Sequence, residues 1–214
     1  MRPLLILLLL TSLSLRAQDA AAPDPLVAQH RLAAVLRQAT ENYDRGDYKS
    51  VVATLGALQE PASSDLSALN LRAAALTKMG DYEQAAGIFS RILEANPDYF
   101  PAAYNLAEVR FLGGDREGAL EAFRQLRRRD PRNELLRFKV FLCQYALGRD
   151  EEAAKTARAM QSAGGTPAWY YAQALLARRG GDEGSARKNL RAARSLYGDA
   201  GCQLFDESLA SAGL

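Results

Sequence analysis

The chain has 214 residues, 48% hydrophobic and 24% charged, which is the make-up of an ordinary globular chain and excludes a disordered or fibrous one. The formal charge is +2, and residues 1–17 carry Arg2 and Arg16 with no acid, so the remainder balances 25 basic against 25 acidic side chains. That neutrality argues against a general nucleic-acid or anionic-membrane binder.

Arg2, the apolar run from Pro3 to Leu15 and the small residue Ala17 read as a secretory signal cleaved between Ala17 and Gln18. Its 13 apolar-run residues are too few to span a bilayer, so no membrane insertion is expected after cleavage. The mature form is then exported, and periplasmic or secreted in a bacterium. Residues 18–24 are small and polar and predict a disordered linker, leaving 25–214 as one domain.

Asp24-Pro25 predicts a helix cap with proline at the first helical position. That helix runs to about Arg45 and stops at Gly46, and a partner covers about Tyr48 to Leu58. Asp65 caps the next hairpin, Pro101 opens a third, and a fourth spans about 132–163. Gly164-Gly165 ends it and Thr166-Pro167 starts a fifth. Residues 199–212 predict one more amphipathic helix, with Leu204, Phe205, Leu209 and Ala212 expected to cover the open end of a stack. No strand-like alternation persists, so the fold class is all α.

These hairpins are copies of one unit. Gly80-Asp81-Tyr82, Ala85, Phe89, Ile92 and Pro97 recur 34 residues later as Gly114-Asp115-Arg116, Ala119, Phe123, Leu126 and Pro131. The glycines extend the register to positions 46, 80, 114, 148 and 181. A fixed period marks a repeat architecture. The glycine ends a helix in a conformation that side chains resist, the aspartate caps the next helix, and the alanine permits a close helix crossing.

The unit resembles the tetratricopeptide repeat, TPR, over residues 32–196, with repeats at about 32–65, 66–99, 100–133, 134–166 and 167–198. The fourth copy departs from the family by placing Phe141 where a small residue is usual opposite Ala153. The resemblance implies a right-handed α-solenoid whose first helices line a concave groove. It places Tyr104, Glu108, Phe111 and Leu112 of the third copy on that groove. It adds Phe138, Leu142 and Tyr145 of the fourth, and Tyr171, Leu175 and Arg178 of the fifth. Such an aromatic stripe is expected to be exposed and to bind a protein or peptide, unless the terminal helix or the first segment folds into the groove. If exposed, Tyr104, Phe138 and Tyr171 can be truncated together with little change in melting. Some members of the family grip a C-terminal carboxylate with a basic and asparagine clamp; Asn70 and Lys78 match part of it, but Tyr104, Glu108 and Leu112 do not complete it.

Chemistry is scarce. His30 is the only histidine, the glycine pairs sit at hairpin turns, and no zinc, phosphate-loop or nucleophile motif occurs. No cofactor and no enzymatic activity are expected. Cys143 and Cys202 lie too far apart along a solenoid to bridge unless the tail folds back, and two buried thiols are the simpler expectation. Arg124 with Arg127 to Arg129, and Arg178 to Arg194, form two basic clusters that read as solvated faces or an anion site. The leading expectation is an exported scaffold for protein–protein interaction through an apolar groove. The alternatives are an accessory subunit of a cell-envelope assembly or secretion complex docking by its edges, and, further off, an enzyme or glycan-handling protein.

Overall fold

The computed structural model describes residues 24–60, 62–161 and 164–214, and the expected signal and, apart from Asp24, the expected linker lie outside that range. The described residues contain ten α-helices, one 3-10 turn (Ala62–Ser64) and no strand. The helices form five successive hairpins: α1 (Pro25–Asp44) with α2 (Tyr48–Gly56), α3 (Leu66–Lys78) with α4 (Tyr82–Ala95), and α5 (Phe100–Leu112) with α6 (Arg116–Arg129). Then follow α7 (Glu134–Ala146) with α8 (Asp150–Arg158), and α9 (Ala168–Arg179) with α10 (Glu183–Ser211).

Local chemistry sets the hairpin turns. All five repeat glycines adopt left-handed backbone, with φ of 78°, 83°, 91°, 72° and 80°. After Gly46, Gly80, Gly148 and Gly181 the next residue donates its N–H back across the helix end, as Asp81 does to Leu76 at 3.0 Å and Asp182 to Ala177 at 2.9 Å. Asp47, Asp81, Asp115 and Asp182 next accept a backbone N–H three residues on and so start the second helix. The fourth copy has Arg149 in that place and no side-chain cap; Asp150, Glu151 and Glu152 face the helix dipole instead.

Packing follows the period. Val51, Ala85, Ala119, Ala153 and Ala186 are all fully buried at equivalent crossings. One helical turn on, Leu55, Phe89 and Phe123 fill the core between neighbouring hairpins. Phe141 is itself fully buried opposite Ala153, so the fourth hairpin accommodates a ring where the family prefers a small residue.

The terminal helix departs from expectation. It does not continue the stack to cover its open end. The helix is broken at Gly198, with φ 68° and ψ 173°, and residues 199–211 run back along the concave side of the solenoid as an arm. That combination of angles is accessible essentially to glycine alone, so this one residue makes the reversal possible.

Candidate functional site

The concave positions of α5, α7 and α9 do share one side of the solenoid, but the expected exposed stripe is largely covered. Phe138, Leu142 and Tyr145 on α7, and Tyr171 and Leu175 on α9, are buried, and Phe111 on α5 nearly so. They join one apolar cluster with Cys202, Phe205 and Leu209 of the arm. The physical reason is mutual: the arm's apolar residues recur at helical spacing, and the concave aromatics offer the matching surface.

Phe205 is the centre of the contact. Its ring lies 4.9 Å from Phe138 and 5.3 Å from Tyr171, centroid to centroid, distances typical of attractive aromatic pairs. Burying such a ring contributes about 1.5–3 kcal/mol. The expectation that Tyr104, Phe138 and Tyr171 can be removed without loss of stability is therefore corrected for Phe138 and Tyr171.

Polar bonds fix the arm's register. The Tyr171 hydroxyl donates to Asp206 at 2.6 Å, and Arg194 reaches the other Asp206 oxygen at 2.9 Å. Burial, and then the bond to Asp206, push the Tyr171 hydroxyl above its ordinary pKa. Lys139 on α7, itself buried, donates to Glu108 of α5 at 2.8 Å and to the Ser208 hydroxyl of the arm at 2.7 Å. Ser208 in turn donates to the Leu204 carbonyl. A buried ammonium needs this set of partners to offset its lost hydration. Lys78 on α3 pairs with Glu207 at 3.1 Å on a half-exposed flank.

The N-terminal half of the concave face remains open. A cleft of about 510 Å³ lies between the arm and the first three hairpins, within the range of ligand pockets. Tyr43, Thr77, Lys78, Tyr104, Asn105, Glu108 and Leu112 line it from the repeats, and Leu204, Glu207 and Ser211 from the arm. Leu204 is 58% exposed there. Tyr104 is half-buried, edge-on to Phe123 and stacked on Phe100, and burial followed by the Glu108 charge raises its pKa. Thus Tyr104, Glu108 and Leu112 line an open cleft, whereas the other expected groove residues lie elsewhere or beneath the arm. Arg178 pairs with Glu183 at 3.4 Å. Arg179 covers the Tyr145 ring at 3.7 Å and donates to the Tyr145 carbonyl at 2.8 Å.

Asn70 and Lys78, the partial carboxylate clamp, are both engaged within the chain: Asn70 accepts from Asn105 at 3.2 Å and Lys78 holds Glu207. Lys139 is the residue missed from sequence; it sits outside the expected groove residues of the fourth copy, Phe138, Leu142 and Tyr145, and a lysine flanked by Phe138 and Val140 was its only signal.

Cys143 and Cys202 are both free and buried in the same cluster. The tail folds back, as a bridge would need, yet the thiols are not joined. Burial, then the Glu108 charge, push the Cys143 thiol up to about 12. The two basic clusters are laced with acids: Arg124 pairs with Glu152, Arg128 with Glu121, Arg129 with Asp98 and Arg194 with Asp206. Among the described residues no group of three or more His, Cys, Asp or Glu side chains is placed to hold a metal ion, and no helix is long and apolar enough to cross a membrane.

Comparison with known proteins agrees with this architecture. The tetratricopeptide-repeat family model matches residues 76–136. Among solved structures, TTC0263, a thermophilic TPR protein of Thermus thermophilus, superposes with a TM-score of 0.65 at 20% identity, over 86% of this chain and all of that one. MamA from Desulfovibrio magneticus RS-1 superposes at 0.61 and 17% identity, over 77% of this chain and 94% of its own. The rhomboid protease GluP of Bacillus subtilis is 35% identical over 80 residues, which is 36% of this chain. The chain spans only 15% of GluP's length.

Proposed function

The chain is built of tetratricopeptide repeats, and on that premise we propose that it is an exported, non-catalytic scaffold that holds another polypeptide on its concave face. The observation that carries this reading is the open cleft, where Tyr104, Leu112 and the exposed Leu204 offer apolar contact beside Lys78, Asn105 and Glu108. Aromatic anchors beside fixed polar groups are what recognition of a peptide segment requires. Superhelical repeats provide such extended concave surfaces as a matter of architecture.

Export rests on Arg2, the short apolar run and Ala17. N-terminal sequencing of the protein recovered from the envelope or medium should begin at or near Gln18; an intact Met1 in the cytosolic pool would contradict it. Binding is tested by placing a photo-cross-linking residue at Tyr104 in the native host. A discrete protein adduct is expected from Tyr104 and none from Arg116, which lies on the exposed side of α6. Equal labelling from both positions would place binding at the edges of the stack instead.

A further inference from the structure

The arm tells what kind of ligand the covered half of the concave face accepts. We infer that residues 199–211 are a resident stand-in for a partner's acidic amphipathic helix, which binds the same face by displacing them. The inference rests on reading the concave face as a partner-binding surface, and it adds the chemistry of the ligand and the means of regulation.

Three observations carry it. First, the charge is complementary. Residues 199–214 hold Asp199, Asp206 and Glu207 and no basic side chain. The groups that meet them are Lys78 on α3, Arg194 and the Tyr171 hydroxyl, with Lys139 on the arm's Ser208. Second, the receiving site belongs to the solenoid. The Lys139–Glu108 pair joins α7 to α5, and Phe138 and Tyr171 are held by their own helices, so the anchors do not depend on the arm for their covalent placement.

Third, the arm is attached for exchange. Among the described residues no backbone–backbone hydrogen bond ties 199–211 to the earlier helices; all its long-range links are side-chain contacts. Its covalent link to the repeats runs through the hinge at Gly198. Leu204 and the half-exposed Lys78–Glu207 pair form an edge at the open cleft, from which an incoming helix can begin to pair before the arm has left. The pattern demanded of the incoming helix is an apolar residue at i, i+3 and i+7, as in Cys202, Phe205 and Leu209, a small hydroxyl at i+6, and carboxylates at i+4 and i+5. Tethering gives the arm an effective concentration near millimolar, so a partner must bind well to compete, which keeps the site closed to casual ligands.

The test uses a fluorescent synthetic peptide of residues 199–212 and the full chain. Two variants weaken the arm in different ways: Phe205→Ala, and Asp206→Asn combined with Glu207→Lys. By fluorescence anisotropy the peptide should bind both variants at least tenfold more tightly than it binds the wild type. Loss of its own Phe205, or Asp206→Asn with Glu207→Gln in the peptide, should each weaken binding at least tenfold. If Phe205→Ala loses cooperative melting, the charge variant decides. Binding to the folded charge variant no tighter than to wild type overturns the inference and makes the arm permanent core. Equal binding by the neutralised peptide overturns the acidic specificity. Cross-linking from Tyr104 with peptide exclusion would sink this inference alone; peptide exchange without a cross-linked partner would sink the open-cleft reading alone.

Discussion

The ring of Phe205 lies 4.9 Å from the ring of Phe138, although 67 residues of chain separate them. Phe138 is fully buried and Phe205 nearly so. This pair joins the last segment of the chain to the fourth hairpin and turns an aromatic concave surface into an interior.

Removing Phe205 should therefore be costly. Phe205→Ala deletes a buried ring between Phe138 and Tyr171 and is expected to lower stability by about 3–5 kcal/mol, if the surrounding rings do not collapse into the space. Leu204→Ala, one residue away and 58% exposed, should change it by less than about 0.5 kcal/mol. Urea titration followed by circular dichroism checks the contrast. Equal midpoints for the two variants would mean the arm is not packed in this register.

Gly198 should act as the gate. An added Cβ there meets no atom within 4 Å, so space is not the obstacle. The obstacle is backbone: φ 68° with ψ 173° costs a non-glycine residue about 1–3 kcal/mol. Gly198→Ala should favour an uninterrupted helix and loosen the arm. Cys202, fully buried in the native arm, reports this directly. Its labelling by a thiol reagent should rise about tenfold or more, while Cys143 remains slow at pH 8 because burial holds its thiol up at about 12. An unchanged Cys202 rate would show that Gly198 does not control the arm.

Acid should loosen the same contact. Burial disfavours the Glu207 charge, but the bonds from Lys78 and Gln203 outweigh it and hold the carboxyl below its ordinary range. The group then contributes stability that is fully present above its unfolded pKa of about 4.3 and is lost as the pH falls through the lower folded value. Glu207→Gln should lower the melting temperature slightly at pH 7, and the difference should vanish in acid once the carboxyl is protonated in both the folded and the unfolded chain. The effect is small because the pair is half-exposed. A difference that persists undiminished in acid would assign it to packing.

The repeat register has its own check. Ala119 is fully buried at the crossing of α5 and α6, so Ala119→Leu should overpack it and cost about 1–3 kcal/mol. Arg116→Ala, on the exposed side of the same helix, should cost less than about 0.5 kcal/mol. Thermal melts of the two variants separate these outcomes, and equal shifts would contradict the register.

The solenoid was legible because its determinants are local and recur. A left-handed glycine, an aspartate three residues before the N–H it caps, and a small residue at a helix crossing each act within one turn, and the 34-residue spacing repeats them. The concave positions of Tyr104, Phe138 and Tyr171 were legible for the same reason, since helical spacing places them on one side. What covers them was not. Nothing local to Phe138 specifies that Phe205 will meet it, and a single glycine decides whether residues 199–211 leave the stack or return along it. The arm's three acids without a base and the apolar spacing of Cys202, Phe205 and Leu209 accord with the return, but an amphipathic helix capping the end of the stack would show the same spacing. Lys139 stayed hidden because a lysine between apolar neighbours on a helix has no periodic partner; only Glu108 and Ser208, from two distant segments, make its burial intelligible.

The most direct measurement is a double-mutant cycle between Phe138 and Phe205, each replaced by Leu so that volume is nearly kept and only the ring contact is lost. Rings in contact should show a coupling of about 0.5–1.5 kcal/mol in unfolding free energy. Additive effects, within about 0.3–0.5 kcal/mol, would mean that the two rings do not meet and that the arm does not occupy the concave face.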